Sequence, residues 1–526
     1  MNEKDCLIIG TNEMRFDDYK RIVLTFMHQE SNIQDLNFNY VNYKNKDYRA
    51  TELANQLFLN ETQTIGSFCI NNSVQAAILY IGSSMEKYNL TFDYISPFQN
   101  NFCSLEKNFS ETIYHCVVIP TTFYTSVWPI IEIVKFIRKH SKARIIVGGP
   151  FIYSQWLDNR DNIADTFDII GADIFYVSQF GEDGLCKLIR TIAEGKDLNE
   201  DAILKSHKWI CVCDNEVKYD IQTHCVNWKL FEHQLGRVVN IRTALSCPFS
   251  CAFCEYPQRA GLYQTIADKQ LLSDLTSIDR IKSVQAISFI DDTFNVPRER
   301  FKSILNMMIK NNISLKWYSY YRCQFADDET VELMKRAGCI GVILGIESGS
   351  QTILNNMNKK VDINMYRKGI QLLNKYGIPM IASFIVGFPG ETKDTIQETV
   401  DFIESTNPTY YKLWHWYCSP LTPIHRDRSK YGLSGNGTEW KHNTMDSHTA
   451  QYYIHKMFRE ISGSRHSPFY FDDIMYLSLR GIGFNMINDF IDNFNLSVKD
   501  RLYNECREKQ SIEKNFDLLK EKVYEK

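Results

Sequence analysis

Between residues 237 and 418, short apolar runs and amphipathic stretches alternate through six repeats. Runs at 238–245, 286–290, 315–320, 340–345, 380–386 and 410–417 read as strands, and the stretches at 269–282, 298–311, 328–337, 364–376 and 393–405 have helical spacing. A strand, a helix and another strand in succession force parallel pairing, because the helix must carry the chain back over the sheet. Six such repeats make a partial (β/α)6 barrel of TIM type. In barrels of this kind the chemistry sits at the C-terminal ends of the strands. The informative loops are therefore those that follow each strand.

The first of these loops reads Ser246-Cys247-Pro248-Phe249-Ser250-Cys251-Ala252-Phe253-Cys254, a C-x3-C-x2-C spacing. Three thiolates this close can bind three irons of a cubane [4Fe–4S] cluster and leave the fourth iron open to a small molecule. A zinc site wants four protein ligands, usually in two separated pairs. No fourth Cys or His follows nearby, so zinc would need a distant residue such as Cys323, and that reading stays open.

Residues 1–200 form a second pattern, an α/β unit of strands alternating with helices that predicts a doubly wound parallel sheet. Its strand at 144–147 ends in Gly148-Gly149-Pro150. Residues 201–236 read as a connector with a small hairpin, its arms at 209–213 and 217–221, carrying Cys211 and Cys213. Residues 237–420 are the barrel, and 421–526 a mostly helical C-terminal region. The chain has 59 Lys+Arg against 63 Asp+Glu, which argues against a protein built mainly to hold nucleic acid. No run approaches the ~18 apolar residues of a membrane span, and the start lacks the apolar core of a signal peptide, so a cytoplasmic protein is expected. In that compartment most of the 15 cysteines should be free thiols.

The cysteine loop, with the aromatic Phe253 before its last cysteine, resembles the signature of the radical S-adenosylmethionine superfamily, and the resemblance extends over residues 237–420. It implies a [4Fe–4S] cluster held by Cys247, Cys251 and Cys254, with S-adenosylmethionine chelated on the open iron and cleaved to a 5′-deoxyadenosyl radical that removes a hydrogen atom from the substrate. After the second strand, Asp291-Asp292 stands where the family has a pair of glycines and an acid for the methionine amino group. After the third strand, Arg322 resembles the arginine that pairs with the methionine carboxylate. After the fourth strand comes Glu347-Ser348-Gly349-Ser350. A buried carboxylate needs a partner, and the cofactor ribose would supply one. Met357-Asn358-Lys359 continues the family-like pattern. After the fifth strand, Gly387-Phe388-Pro389 offers a close backbone approach to adenine.

Residues 1–200 resemble the cobalamin-binding domain that precedes the barrel in many of these enzymes, with Gly148, Gly149 and Pro150 as the expected contact. The Asp-x-His-x-x-Gly motif of several B12 enzymes is absent. The expected function is cobalamin-dependent methylation of an unactivated carbon or phosphorus in a natural product or peptide, with a faint likeness to the P-methyltransferase family of phosphinothricin biosynthesis. Partners would be that small-molecule or peptide substrate and an electron donor such as flavodoxin or ferredoxin, with no membrane. Alternatives are radical ring formation, rearrangement or oxidation without methylation, a non-catalytic iron–sulfur or zinc sensor, and a nucleic-acid modifier. No acid/base or radical-relay residue stands out.

Overall fold

The structure is a computed structural model and describes residues 2–27, 29–58, 73–122, 124–214, 219–503 and 509–524. The chain divides into two compact units: Met1–Arg15, Asn72–Asn240 and Gln264–Ser283 make the first, and Phe16–Asn71, Ile241–Tyr263 and Val284–Lys526 the second.

The first unit is a seven-stranded sheet. Its strands are β1 (Asn2–Ile9), β2 (Phe92–Ile95), β3 (Thr112–Pro120), β4 (Arg144–Gly148), β5 (Ile174–Ser178), β6 (Ala202–Lys205) and β7 (Ile210–Asp214), in the order β2-β1-β3-β4-β5-β7-β6. All pairings are parallel except that of β6 with β7. The strand order reverses between β1 and β3, the place where open α/β sheets leave a crevice for ligands. The inner strands are apolar on both faces, as a sheet covered on both sides requires: Leu7, Val117 and Ile145 on one face and Ile8, Cys116 and Ile146 on the other are fully buried.

Here the sequence-level hairpin needs correcting. β7 carries Cys211 and Cys213, but its antiparallel partner is β6, which precedes it; residues 217 and 218 of the expected second arm lie outside the described residues. Cys211 is buried in the apolar core and Cys213 packs against it.

The other seven-stranded sheet has the order β8-β9-β10-β11-β12-β13-β14, with β8 (Val238–Ile241), β9 (Ala286–Phe289), β10 (Lys316–Tyr320), β11 (Cys339–Glu347), β12 (Met380–Val386), β13 (Tyr410–His415) and β14 (Arg465–His466), and its strands from β9 on lie in the second unit. Pairing is parallel from β9 to β14. The six expected strands are present, and the two-residue β14 adds a seventh that is too short to leave a periodic trace.

Two further differences concern the chain's partition. Helices Phe16–Phe26, Glu30–Phe38 and Ala50–Phe58 belong to the second unit, although they lie within the expected 1–200 domain. Phe38 packs edge-on to Phe458 at 4.7 Å and Phe58 lies 5.6 Å from Phe490. Conversely, residues 201–236 and helix Asp268–Asp279, which sequence reading gave to a connector and to the barrel, fall in the first unit. Trp228 Nε1 donates to Asp274 of that helix at 3.0 Å. The C-terminal region is mostly helical, and it adds a three-stranded antiparallel sheet at Ser434–Asn436, Glu439–His442 and Met445–Asp446. Among the described residues no helix is long and apolar enough to cross a membrane.

Candidate active site at the cysteine loop

The turn out of β8 is set by Asp291, which is 3% exposed. Its Oδ1 accepts the N–H groups of Thr243 (2.6 Å) and Ala244 (2.9 Å), and its Oδ2 accepts the Thr243 hydroxyl. Both oxygens of Asp291 thus serve Thr243 and Ala244, on the segment that leads into the cysteines. Asp292 is exposed. The protein atoms crowded around its carboxyl displace part of its water, and this, then the charge of Asp291, raises its pKa to about 6. Of the two aspartates, Asp292 is the one open to a ligand.

The loop itself is tied down on several sides. Ser246, in the left-handed region at φ 66°, donates its hydroxyl to Gly261 O at 2.7 Å. Ala252 N donates to Met357 O (2.8 Å), Ile424 N to Ala252 O (2.9 Å), and Asn358 Nδ2 to Ser250 O (2.8 Å). Cys251 is buried and Cys247 and Cys254 are half-buried. Burial pushes Cys254 up to about 12 and raises Cys247; the thiols also sit close enough to raise one another. Backbone N–H groups of Phe249 and Tyr256 reach Cys247 and Cys254, the kind of donor that stabilises thiolates.

Among the described residues no three His, Cys, Asp or Glu side chains converge on a point that would hold one metal ion. A cubane asks for a different arrangement: each thiolate takes a separate iron, so the sulfurs surround a volume. Cys323 is buried, with its main chain where a Cβ on Gly369 would lie 2.2 Å from it.

Around this loop stand the other expected residues. Arg322 is 8% exposed, and its guanidinium lies 3.6 Å from the centroid of Phe249. Its Nε donates to Gln324 Oε1 (3.2 Å) and its Nη2 to Lys359 O (2.9 Å), so in this structure it braces the loop. Glu347 ends β11 at a bulge with φ 69° and accepts from Lys359 Nζ at 2.9 Å. Phe253 lies under the same ammonium. Ser348 is fully buried; its hydroxyl meets Thr399 Oγ1 (3.3 Å) and accepts from Ser350 N, so it turns inward to the helix packing.

Gly387, at φ 98°, has a packing reason to lack a side chain. A Cβ there would meet Trp440 at 2.4 Å and Ala450 at 2.7 Å, so its bareness serves close packing of the three-stranded sheet. Phe388 is fully buried, 5.4 Å from Trp416, and Pro389 O accepts from Asn356 Nδ2 at 3.2 Å. Sequence reasoning assigned no role to Lys359 and passed over Glu391. The Glu391 carboxyl accepts from Gly387 N and burial raises its pKa to about 8. For Lys359 the signal was present, in the Met357-Asn358-Lys359 pattern; nothing in sequence showed its partner.

Residues 241–403 match the Radical SAM superfamily. This part of the chain is a radical SAM domain. Such a domain is an enzyme domain, and its cofactors are a [4Fe–4S] cluster and S-adenosylmethionine. Curated relatives include an uncharacterised methyltransferase of Pyrococcus horikoshii, 26% identical over 171 residues, or 32% of this chain and 37% of that protein. The anaerobic magnesium-protoporphyrin IX monomethyl ester cyclase of Rubrivivax gelatinosus is 29% identical over 33% of this chain and 31% of its own length. The matched part thus spans about a third of each of these relatives.

Among solved structures, the radical S-adenosylmethionine methyltransferase TsrM from Kitasatospora setae aligns with TM-score 0.55 at 18% identity, over 72% of this chain and 78% of its own. OxsB, a cobalamin-dependent S-adenosylmethionine radical enzyme solved with aqua-cobalamin, aligns with TM-score 0.55 at 14% identity, over 86% and 78%. At these identities the likeness is one of fold. It extends well beyond the radical SAM domain.

In the first unit, the Gly148-Gly149-Pro150 turn has an internal explanation. A Cβ on Gly148 would lie 2.8 Å from Tyr176 O, and one on Gly149 (φ 101°) 3.0 Å from Thr121 N. Pro150 opens helix Pro150–Asp158, where a missing N–H costs nothing.

Proposed function

We propose that this protein is a cobalamin-dependent radical SAM methyltransferase acting on an unactivated carbon or phosphorus of a natural product or peptide. The observation that carries the radical part is the cysteine loop: three thiols within eight residues on a braced turn beyond the C-terminal end of the first barrel strand. The residues fit the cluster in number, spacing and donor type. When bound, the cluster supplies the electron that cleaves S-adenosylmethionine, and cobalamin carries the methyl group.

The chain's own residues hold and orient these groups. Cys247, Cys251 and Cys254 are the cluster ligands, stiffened by Arg322 on Phe249. Asp292 is open to the methionine amino group, and a carboxylate there gains from an ammonium partner. Glu347 retains a second carboxylate oxygen for ribose. Phe388 and Pro389 wall the fifth loop. The aromatic residues Tyr320, Trp414 and Tyr470 are 46%, 38% and 63% exposed, and Tyr320 and Trp414 stand at the ends of β10 and β13. They supply apolar surface for a substrate and keep water from the reacting atoms.

The cobalamin part is supported by the first unit's strand order, with its crevice at the reversal between β1 and β3, and by the fold likeness to OxsB over most of the chain. A one-electron donor such as flavodoxin or ferredoxin completes the system. The test is anaerobic reconstitution with iron, sulfide and cobalamin, reading iron content, cobalt spectra, 5′-deoxyadenosine release and methyl transfer. About four irons per chain with deoxyadenosine release supports the radical reading. A loaded protein that binds no cobalamin would overturn the methylation route.

A further inference from the structure

Lys359 brings a cation into the wall of the cysteine loop. Its side chain is 7% exposed and that of its partner Glu347 11%. The ammonium lies 2.9 Å from Glu347 Oε1 and 5.3 Å from the centroid of Phe253, the residue between Cys251 and Cys254. Burial alone pulls the amine's pKa down, but the charge of Glu347 counters it and keeps the group protonated. The segment is fastened to the loop through Met357 O and Asn358 Nδ2, and the ion pair with Glu347 holds the ammonium itself.

A buried ion pair is weak evidence for stability, since well-packed apolar residues of the same volume do as well or better. Its placement calls for another reason. Positive charge beside an iron–sulfur cluster favours the reduced form, because reduction adds one negative charge at short range in a low-dielectric setting.

We propose that Lys359 is a positioning residue for the electron-transfer step, its ammonium setting the reduction potential of the cluster bound by Cys247, Cys251 and Cys254, with Glu347 moderating that charge. This rests on the reading of the loop as a cluster site. The step concerned is uptake of one electron by the oxidised cluster from an external one-electron reductant, with no bond formed or broken.

The experiment is an electron-paramagnetic-resonance redox titration of the anaerobically reconstituted full chain without S-adenosylmethionine, using dithionite as reductant. Lys359→Met removes the cation and should move the midpoint potential to more negative values. Glu347→Gln removes the moderating anion and should move it to less negative values. Lys359→Arg should stay near wild type. Opposite signs cannot come from general loosening of the loop, which would move both variants the same way. Unchanged midpoints, or shifts of one sign in both variants, would overturn the proposal. If Lys359→Met fails to load iron, the isosteric Glu347→Gln carries the test alone: no shift toward less negative values sinks it. A wild-type protein that loads no cluster would instead fail the underlying reading.

Discussion

The cysteine loop of the second unit and the Gly148-Gly149-Pro150 turn of the first both follow a buried strand, yet they are built differently. The glycine turn is bare because neighbouring backbone presses on it: Thr121 N and Tyr176 O leave no room for a side chain. The cysteine loop is held by polar groups at considerable cost. Asp291 is buried to organise Thr243, Lys359 and Glu347 are buried as a pair, and Glu347 adopts a backbone conformation unfavourable to a side chain. Close packing explains itself. Buried charge and backbone strain around three thiols do not, and such costs gather where function requires them.

Four experiments would break or sharpen this contrast. The largest effect is expected from Cys251→Ala: cluster iron and deoxyadenosine release should fall to background, measured by iron assay and chromatography. Normal deoxyadenosine release from that variant would remove the cysteine loop from the chemistry.

Next, Asp291→Ala leaves the buried N–H groups of Thr243 and Ala244 without acceptors. It should cost about 2–4 kcal/mol in denaturant unfolding. A loss under ~0.5 kcal/mol would show that Asp291 does not organise the turn.

Third, Gly149→Ala should destabilise by about 1–3 kcal/mol through strain and crowding. Cobalamin uptake should fall while iron per chain stays at the wild-type level. A fall in iron equal to that in cobalt would erase the distinction between the two loops.

The smallest effect concerns Glu391, whose folded pKa of about 8 lies above its ordinary 4.5. A raised carboxyl contributes stability below its unfolded pKa and loses that contribution as pH rises through the folded value. Wild type should therefore lose stability between pH ~4.5 and ~8 relative to Glu391→Gln, which cannot ionise. Parallel thermal-melt curves for the two proteins across that range would contradict the buried carboxyl.

Sequence alone determined the elements with strong periodicity and the one motif whose chemistry is local. The six main barrel strands and the α/β alternation were legible because apolar spacing is a property of neighbouring residues. The cysteines were legible because eight consecutive residues suffice to wrap a cubane corner. The ownership of residues 16–58 and of helix Asp268–Asp279 was not, because an amphipathic face does not say which surface will cover it. Nor were the separate fates of Asp291 and Asp292, the packing role of Gly387 against Trp440, or the Lys359–Glu347 pair. Each depends on groups 12 to 53 residues apart meeting at a distance of a few ångströms. Only the assembled sheet and its packed loops bring such groups together, and only there does burial make their charges count.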